Sequence, residues 1–212
     1  MTRKQMEVES RRRYVVDAAR KVFAQKGIEN TSMEDIARAA DYTRRTIYAY
    51  FKSHDEICLL VLLEDQAARW EFQKQAIAAA EGGLAKLQAW AESLYRFVRN
   101  NPHYSHLESY WDFRGLNAKL ISPELFARFE KQNNELADGL RDIFHLGITD
   151  GSMRPDLQVD MCISQFLYSL RSIIHRAMSP GYSFANFDAD DYVRHYVDLF
   201  LRSVRNSQKE PV

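Results

Sequence analysis

Arg44 and Arg45 stand side by side between Thr43 and Thr46, with Tyr48, Tyr50 and Lys52 following within two helical turns. On an exposed helix, paired guanidinium groups can fork onto phosphate oxygens or reach O6 and N7 of guanine through parallel hydrogen bonds. The threonine hydroxyls can donate to phosphate, and their methyls can meet a thymine methyl. The start of such a helix also turns free N–H groups and the positive end of its dipole towards a phosphate backbone. These residue types point to nucleic acid. A second set suits a smaller partner: Trp111, Phe113 and Arg114 lie together, and Arg171 and His175 lie one turn apart in a later apolar stretch. Aromatic walls with a few convergent polar groups are what a ligand pocket needs, and Arg171 and His175 can meet an anionic or hydrogen-bonding ligand. The many aromatics between residues 70 and 144 favour a hydrophobic, planar molecule over a sugar.

Other chemistries find little support. His103 and His106, with Glu108 and Asp112 nearby, have a spacing that can share a face, but a closed zinc site wants about four ligands. The pair reads as surface histidines, and neither a metal nor a cofactor is expected. No G-x-S-x-G, H-E-x-x-H, P-loop or G-x-G-x-x-G occurs, so nothing recommends an enzyme. Cys58 and Cys162 sit in apolar helical patterns and read as reduced, buried thiols of a cytosolic protein. Met1 to Gln5 lacks an apolar signal core, and the longest apolar run, residues 57–63, is far short of the roughly 20 residues that cross a bilayer. A cytoplasmic location with no membrane partner is the expectation.

The elements that position these residues are helices throughout. Apolar groups at Val15, Val16, Ala19, Val22 and Phe23 form a 3.6-residue stripe over residues 10–26, closed by Gly27. Thr31-Ser32-Met33-Glu34 has the form of a capping box before a short helix with Met33, Ile36, Ala37 and Ala40 on one face. After Asp41-Tyr42, Thr43 can cap a second short helix over residues 44–51, its inner face Ile47 and Phe51, with Tyr48 between core and surface. A further box, Ser53 to Glu56, starts a long helix running towards Ala80. Helices are then expected at 84–100, 103–113, 123–146, 157–178 and 189–205, with Asp188 as the last cap. Only 8 Gly and 5 Pro occur and no strand pattern stands out, so the class is all-α. Two short helices joined by a tight turn, packed on a third, make a helix-turn-helix. Two domains follow: a three-helix head over residues 1–54 and a larger helical body over 55–212.

Charge supports the division. Lys+Arg 29 balance Asp+Glu 29, yet residues 1–54 hold twelve bases and seven acids, a net of +5 that leaves −5 on the rest. A basic head on an acidic body is expected where one end meets phosphate.

The runs Val15-Val16 to Gly27, Thr31-Ser32-Met33-Glu34-Asp35-Ile36-Ala37 and Thr46-Ile47-Tyr48-Ala49-Tyr50-Phe51-Lys52-Ser53 resemble the N-terminal domain of TetR-family transcriptional regulators. The resemblance covers about a quarter of the chain. It implies a homodimer whose recognition helices enter successive major grooves of a near-palindromic operator, normally to repress transcription. It also implies a helical C-terminal domain that binds an inducer and makes the dimer. Gly151-Ser152-Met153-Arg154-Pro155-Asp156-Leu157 resembles the loop before the penultimate helix of many members. Three positions depart from the pattern: Asp41 where the family usually has Gly, Arg45 where it often has a small residue, and His54 where it commonly has a phosphate-contacting Lys. Asp tolerates a left-handed backbone, so the turn is expected to survive. His54 makes its phosphate contact conditional on pH, and Lys52 can carry part of it. Thr31 and Ser32 can cap the first short helix and also touch a phosphate.

The last two helices are apolar over wide arcs, which suggests a second partner for them. Phe166, Leu170 and Ile174 with Val193, Val197, Phe200 and Val204 are the expected faces of an isologous four-helix dimer interface. The resulting expectation is a ligand-responsive dimeric repressor released from its operator by a small hydrophobic or aromatic inducer. An activator or a corepressor-dependent regulator fits the same residues. The rival from another class is a helical binding protein or enzyme whose head is no longer used on DNA.

Overall fold

The computed structural model describes residues 2–115, 117–179 and 187–207, with the side chains of Phe113, Arg114 and Ala118 outside the description. Among the described residues the elements are α1 (Arg3–Lys26), α2 (Met33–Ala39), α3 (Arg44–Tyr48), α4 (His54–Ala79), α5 (Gly83–Asn100), α6 (Pro102–Arg114), α7 (Pro123–Thr149), α8 (Val159–Met178) and α9 (Ala189–Val204). A 3-10 turn at Ala118–Leu120 precedes α7, and Met153 and Arg205 form an isolated bridge rather than a strand. The class is all-α, a helix-turn-helix head with a larger helical body.

Packing gathers the helices into two compact units. The first contains the residues up to Gln66 together with His106–Lys131, and the second contains Ala67–Ser105 with the residues from Gln132 onward. Helices α4, α6 and α7 each contribute to both. The cut between residues 54 and 55 expected from the sequence therefore falls inside the first unit. The reason is polar as well as apolar. Asp55 accepts a hydrogen bond from the Tyr110 hydroxyl at 2.9 Å, and buried Glu56 accepts from the Ser122 backbone at 3.1 Å. Ser53 Oγ donates to the Leu120 carbonyl at 2.6 Å. These bonds tie the start of α4 to α6 and to the segment before α7.

Within the first unit, α1 begins seven residues before the apolar stripe. Thr2 and Gln5 form a reciprocal capping box, and residues 3–10 are exposed, so the cap and helix-forming side chains sustain this turn without a buried face. Gly27 ends α1 with φ 78°, a left-handed backbone that glycine adopts without strain. The box that opens α2 is Ser32 with Asp35, not Thr31 with Glu34. Asp35 is further held by Lys26 at 2.6 Å. Asp41 adopts φ 52° between α2 and α3, the left-handed conformation expected where the family has glycine. Helix α3 stops at Tyr48 rather than Phe51, because Ala49 and Tyr50 tighten into i→i+3 bonds on Thr46 and Ile47. Phe51 nevertheless reaches the core through its backbone bond to Ile47. The expected box at the start of α4 is half formed: Ser53 accepts from the Glu56 N–H, but the Glu56 carboxylate turns to the Lys52 and Ser122 N–H groups.

In the second unit, α5 and α7 cross where glycine meets glycine. A Cβ on Gly83 would land on the Gly147 backbone, and one on Gly147 would strike Met153. Asp150 and Ser152, in the turn after α7, accept from the Gly83 and Leu84 N–H groups at 2.7 Å and 3.2 Å and so cap α5. Trp90 on α5 packs on Phe166 of α8, which packs on Phe200 of α9. Tyr95 and Arg99 of α5 both hold Asp190 at the start of α9, and Asp188 caps that helix as expected. Cys58 is buried, but Cys162 is only half-buried, because the outer flank of α8 begins there.

Candidate nucleic-acid interface

Thr43 places the reading end of α3. Its Oγ accepts from the Thr46 N–H at 3.1 Å and shares a 2.8 Å hydrogen bond with the Thr46 hydroxyl. Both hydroxyls are thus partly used in capping, which fixes the helix start. Arg44 and Arg45 leave that start exposed, as do Thr43 and Lys52. The Arg44 guanidinium lies 5.5 Å from the Tyr48 ring centre, and Tyr48 is 46% exposed. Ile47 and Phe51 point inward, so the same short segment anchors on one side and offers charge on the other.

Two further arginines join this surface from α1. Arg12 donates through Nη1 to the Tyr50 carbonyl at 2.7 Å and lies 4.7 Å from the Phe51 ring centre. Arg11 donates to the Tyr50 hydroxyl at 3.3 Å and pairs with Glu7. Tyr50 is therefore held by α1 as much as it is available to a partner. In the sequence, Arg11, Arg12 and Arg13 stand out only as three consecutive bases, and that run is the local signal for their place here. A cleft of about 580 Å³ beside α3 contains Arg12, Lys52 and Arg128 with Glu9, Glu56 and Glu124. Its charges balance, whereas the exposed start of α3 carries Arg44 and Arg45.

Other expected positions fall differently. Ser32 is exposed at the start of α2, but Thr31 is buried and donates to the Gly27 carbonyl at 2.7 Å, which removes it from a phosphate-facing role. His54 turns inward, edge-on to Phe23 at 5.6 Å and 3.5 Å from Cys58 Sγ, and a ring held there cannot extend as a lysine would. Trp111 is buried in the first unit, and its Nε1 has no hydrogen-bond partner among the described residues. Phe113 and Arg114 have side chains outside the described residues. Arg171 and His175 are half-buried on α8 in the second unit.

The expected dimer face requires correction. Phe166, Leu170, Ile174, Val193, Val197 and Val204 are all buried within the protomer, and of that set only Phe200 keeps appreciable exposure. The wide apolar arcs contain two stripes, and the more apolar one closes the protomer's own core. The outer flank carries Met161 at 55%, Tyr168 at 60% and Leu199 at 51% exposed, with Tyr192 and Tyr196 half-buried beside them.

A helix-turn-helix with an exposed, basic second helix, carried by a larger helical body, defines a DNA-binding regulator of transcription. Residues 15–61 match the family model described as bacterial regulatory proteins, tetR family. The chain is 27% identical to the HTH-type transcriptional repressor KstR2 of Mycolicibacterium smegmatis, over 94% of this chain and 93% of that one. It is 25% identical to the HTH-type transcriptional repressor AcnR of Corynebacterium diphtheriae, over 95% of each. Among solved structures, the ketosteroid transcriptional regulator KstR2 of Mycobacterium tuberculosis shares the fold with TM-score 0.65 at 21% identity, covering 94% of this chain and 96% of that one. FadR from Bacillus subtilis in complex with stearoyl-CoA does so with TM-score 0.69 at 18% identity, covering 91% and 98%. Residues 15–61 thus carry the DNA-binding domain of the TetR family, and nearly the whole chain is similar to repressors of transcription.

Proposed function

We propose that the protein is a cytoplasmic, dimeric repressor that leaves a near-palindromic operator when a small hydrophobic or aromatic effector binds its helical body. It acts by binding rather than catalysis. The carrying observation is the exposed Thr43–Arg45 end of α3, with Arg11 and Arg12 of α1 bonded to Tyr50 behind it. Such a surface costs an ordinary core nothing to replace with neutral residues, and it supplies both phosphate and base-edge donors. Repression is supported by relatives named as repressors along nearly the whole chain. An apolar effector is supported by the FadR structure with stearoyl-CoA and by the likeness to the ketosteroid transcriptional regulator KstR2. The dimer uses the outer flank of α8 and α9, Met161, Tyr168, Tyr196 and Leu199, in place of the buried stripe. Among the described residues no helix is long and apolar enough to cross a membrane, which is compatible with the cytoplasmic location.

The effector must bind the DNA-free arrangement more tightly than the DNA-bound one, because only differential affinity shifts the balance. Helix α4, continuous from His54 to Ala79, is the covalent route by which such a difference reaches the head. The test is duplex binding to the region upstream of the protein's own coding sequence. Arg44→Ala with Arg45→Ala weakens it by at least about tenfold while the circular-dichroism spectrum and melting temperature stay unchanged. Equal binding by the double variant would remove the recognition role of α3.

A further inference from the structure

Several arginines of the helical body pair with carboxylates at the surface. Arg99 meets Asp190, Arg141 meets Asp138 and Asp160, and Arg194 meets Asp191. Arg69, on α4 within the second unit, is different: it is 4% exposed and has no carboxylate partner among the described residues. Its Nη1 donates to Oε1 of Gln73, one turn on. Its guanidinium carbon lies 5.7 Å from the Trp90 ring centre. Gln73 is itself fully buried, and its Nε2 donates to the Trp90 carbonyl at 2.8 Å, which fixes its oxygen towards Arg69. Nε of Arg69 is sealed from solvent with no partner among the described residues. Nη2 also has no acceptor among the described residues but, unlike Nε, is not closed off.

A guanidinium group cannot shed its proton to escape burial. An aromatic face and one neutral amide oxygen compensate only part of its lost hydration. If Arg69 served only to brace α4 against α5, an uncharged side chain of similar volume would do so without an uncompensated charge. The arrangement is preset in orientation, with Gln73 locking one end of the fork and Nη2 left without an acceptor among the described residues. The Trp90 ring beside it packs on Phe166 with ring centres 5.6 Å apart, so the charge adjoins a buried aromatic cluster.

We propose that Arg69 is the anchor for the anionic head group, carboxylate or phosphate, of an otherwise apolar effector bound in the helical body. This rests on the regulator reading and specifies the chemistry of its ligand: the apolar part lies along the aromatic side chains and the head group completes the Arg69 fork. Gln73 is the positioning residue that aims the fork.

The test is isothermal titration of the full chain with decanoate, decyl phosphate and decanol, which share a tail and differ in head group. The wild type binds at least one of the two anions at least tenfold more tightly than decanol, and the preferred anion separates a carboxylate source from a phosphate source. Arg69→Gln brings that anion to the affinity of decanol and leaves decanol itself within twofold. Arg69→Met, of similar volume and no charge, is the second neutral variant should glutamine not fold. No anion preference in the wild type, including no binding of any probe, overturns the assignment. So does a preference that survives neutralisation of Arg69. Ligand-free Arg69→Gln binds duplex DNA as the wild type does. Absence of duplex binding by the wild type would sink the regulator reading while leaving the anion preference standing, so the two failures are distinguishable.

Discussion

Arg12 and Arg44 are both arginines of the reading head, yet their surroundings give them different work. Arg44 is exposed with its guanidinium beside the Tyr48 ring, so Arg44→Ala should change stability by less than about 0.5 kcal/mol while weakening duplex binding. Arg12 donates to the Tyr50 carbonyl and covers Phe51, fastening the segment after α3 to α1. Arg12→Ala should therefore lower stability by about 1–2 kcal/mol in urea unfolding and weaken duplex binding as well. A stability unchanged by Arg12→Ala would reduce that bond to a surface contact. Asp35 gives the head an acid dependence. Hydrogen bonds from Lys26 and Ser32 hold its carboxyl well below the usual carboxylate range. A depressed value in the folded state means the contribution is complete above the unfolded value near about 4 and is lost as pH falls further. Acid melting of the wild type should show this loss below about pH 4, and Asp35→Asn should start less stable and flatten that part of the curve.

At the scale of elements, the turn between α2 and α3 is the sharpest constraint. Asp41 sits at φ 52°, which a β-branched residue resists. Asp41→Val should cost about 1–2 kcal/mol and weaken DNA binding with it, whereas Asp41→Gly should remain within about 1 kcal/mol of the wild type. Parallel thermal melts of the two variants check this, and equal melting points would remove the strain argument. That turn was legible through the family resemblance, which implies Gly at this position, and through Asp being among the few other residues that accept a left-handed backbone. The apolar stripe of α1 and the inner face of α3 were legible directly, since buried positions recur at helical spacing. What periodicity cannot carry was missed. The first turns of α1 have no buried face, so only the Thr2 and Gln5 side chains mark their start. The inward turn of His54 and the diversion of Glu56 to Ser122 depend on neighbours distant in sequence. The glycine-on-glycine crossing of α5 and α7 left no local pattern at all.

For the whole molecule, one apolar stripe of α8 and α9 closes the protomer's core, and the other carries the interface of the proposed dimer. Phe166 is fully buried against Trp90 and Phe200, so Phe166→Ala should cost about 3–5 kcal/mol and unfold the body rather than separate subunits. Tyr168→Glu with Leu199→Glu should instead leave the helical spectrum intact and shift sedimentation from twice the 24.8 kDa chain mass to the single chain. A double variant that remains dimeric would move the interface elsewhere. The charge distribution gains its meaning at this scale: the neutral total is the sum of a +5 head and a −5 remainder, and a dimer presents the basic head twice. The central claim is that these heads bind duplex DNA through phosphate neutralisation. It is tested most directly by the salt dependence of binding to the protein's own upstream duplex. The logarithm of affinity should fall linearly with the logarithm of salt concentration, with a slope of about −0.9 for each phosphate neutralised and a total of several units. A flat salt dependence, or no binding at low salt, would contradict the account.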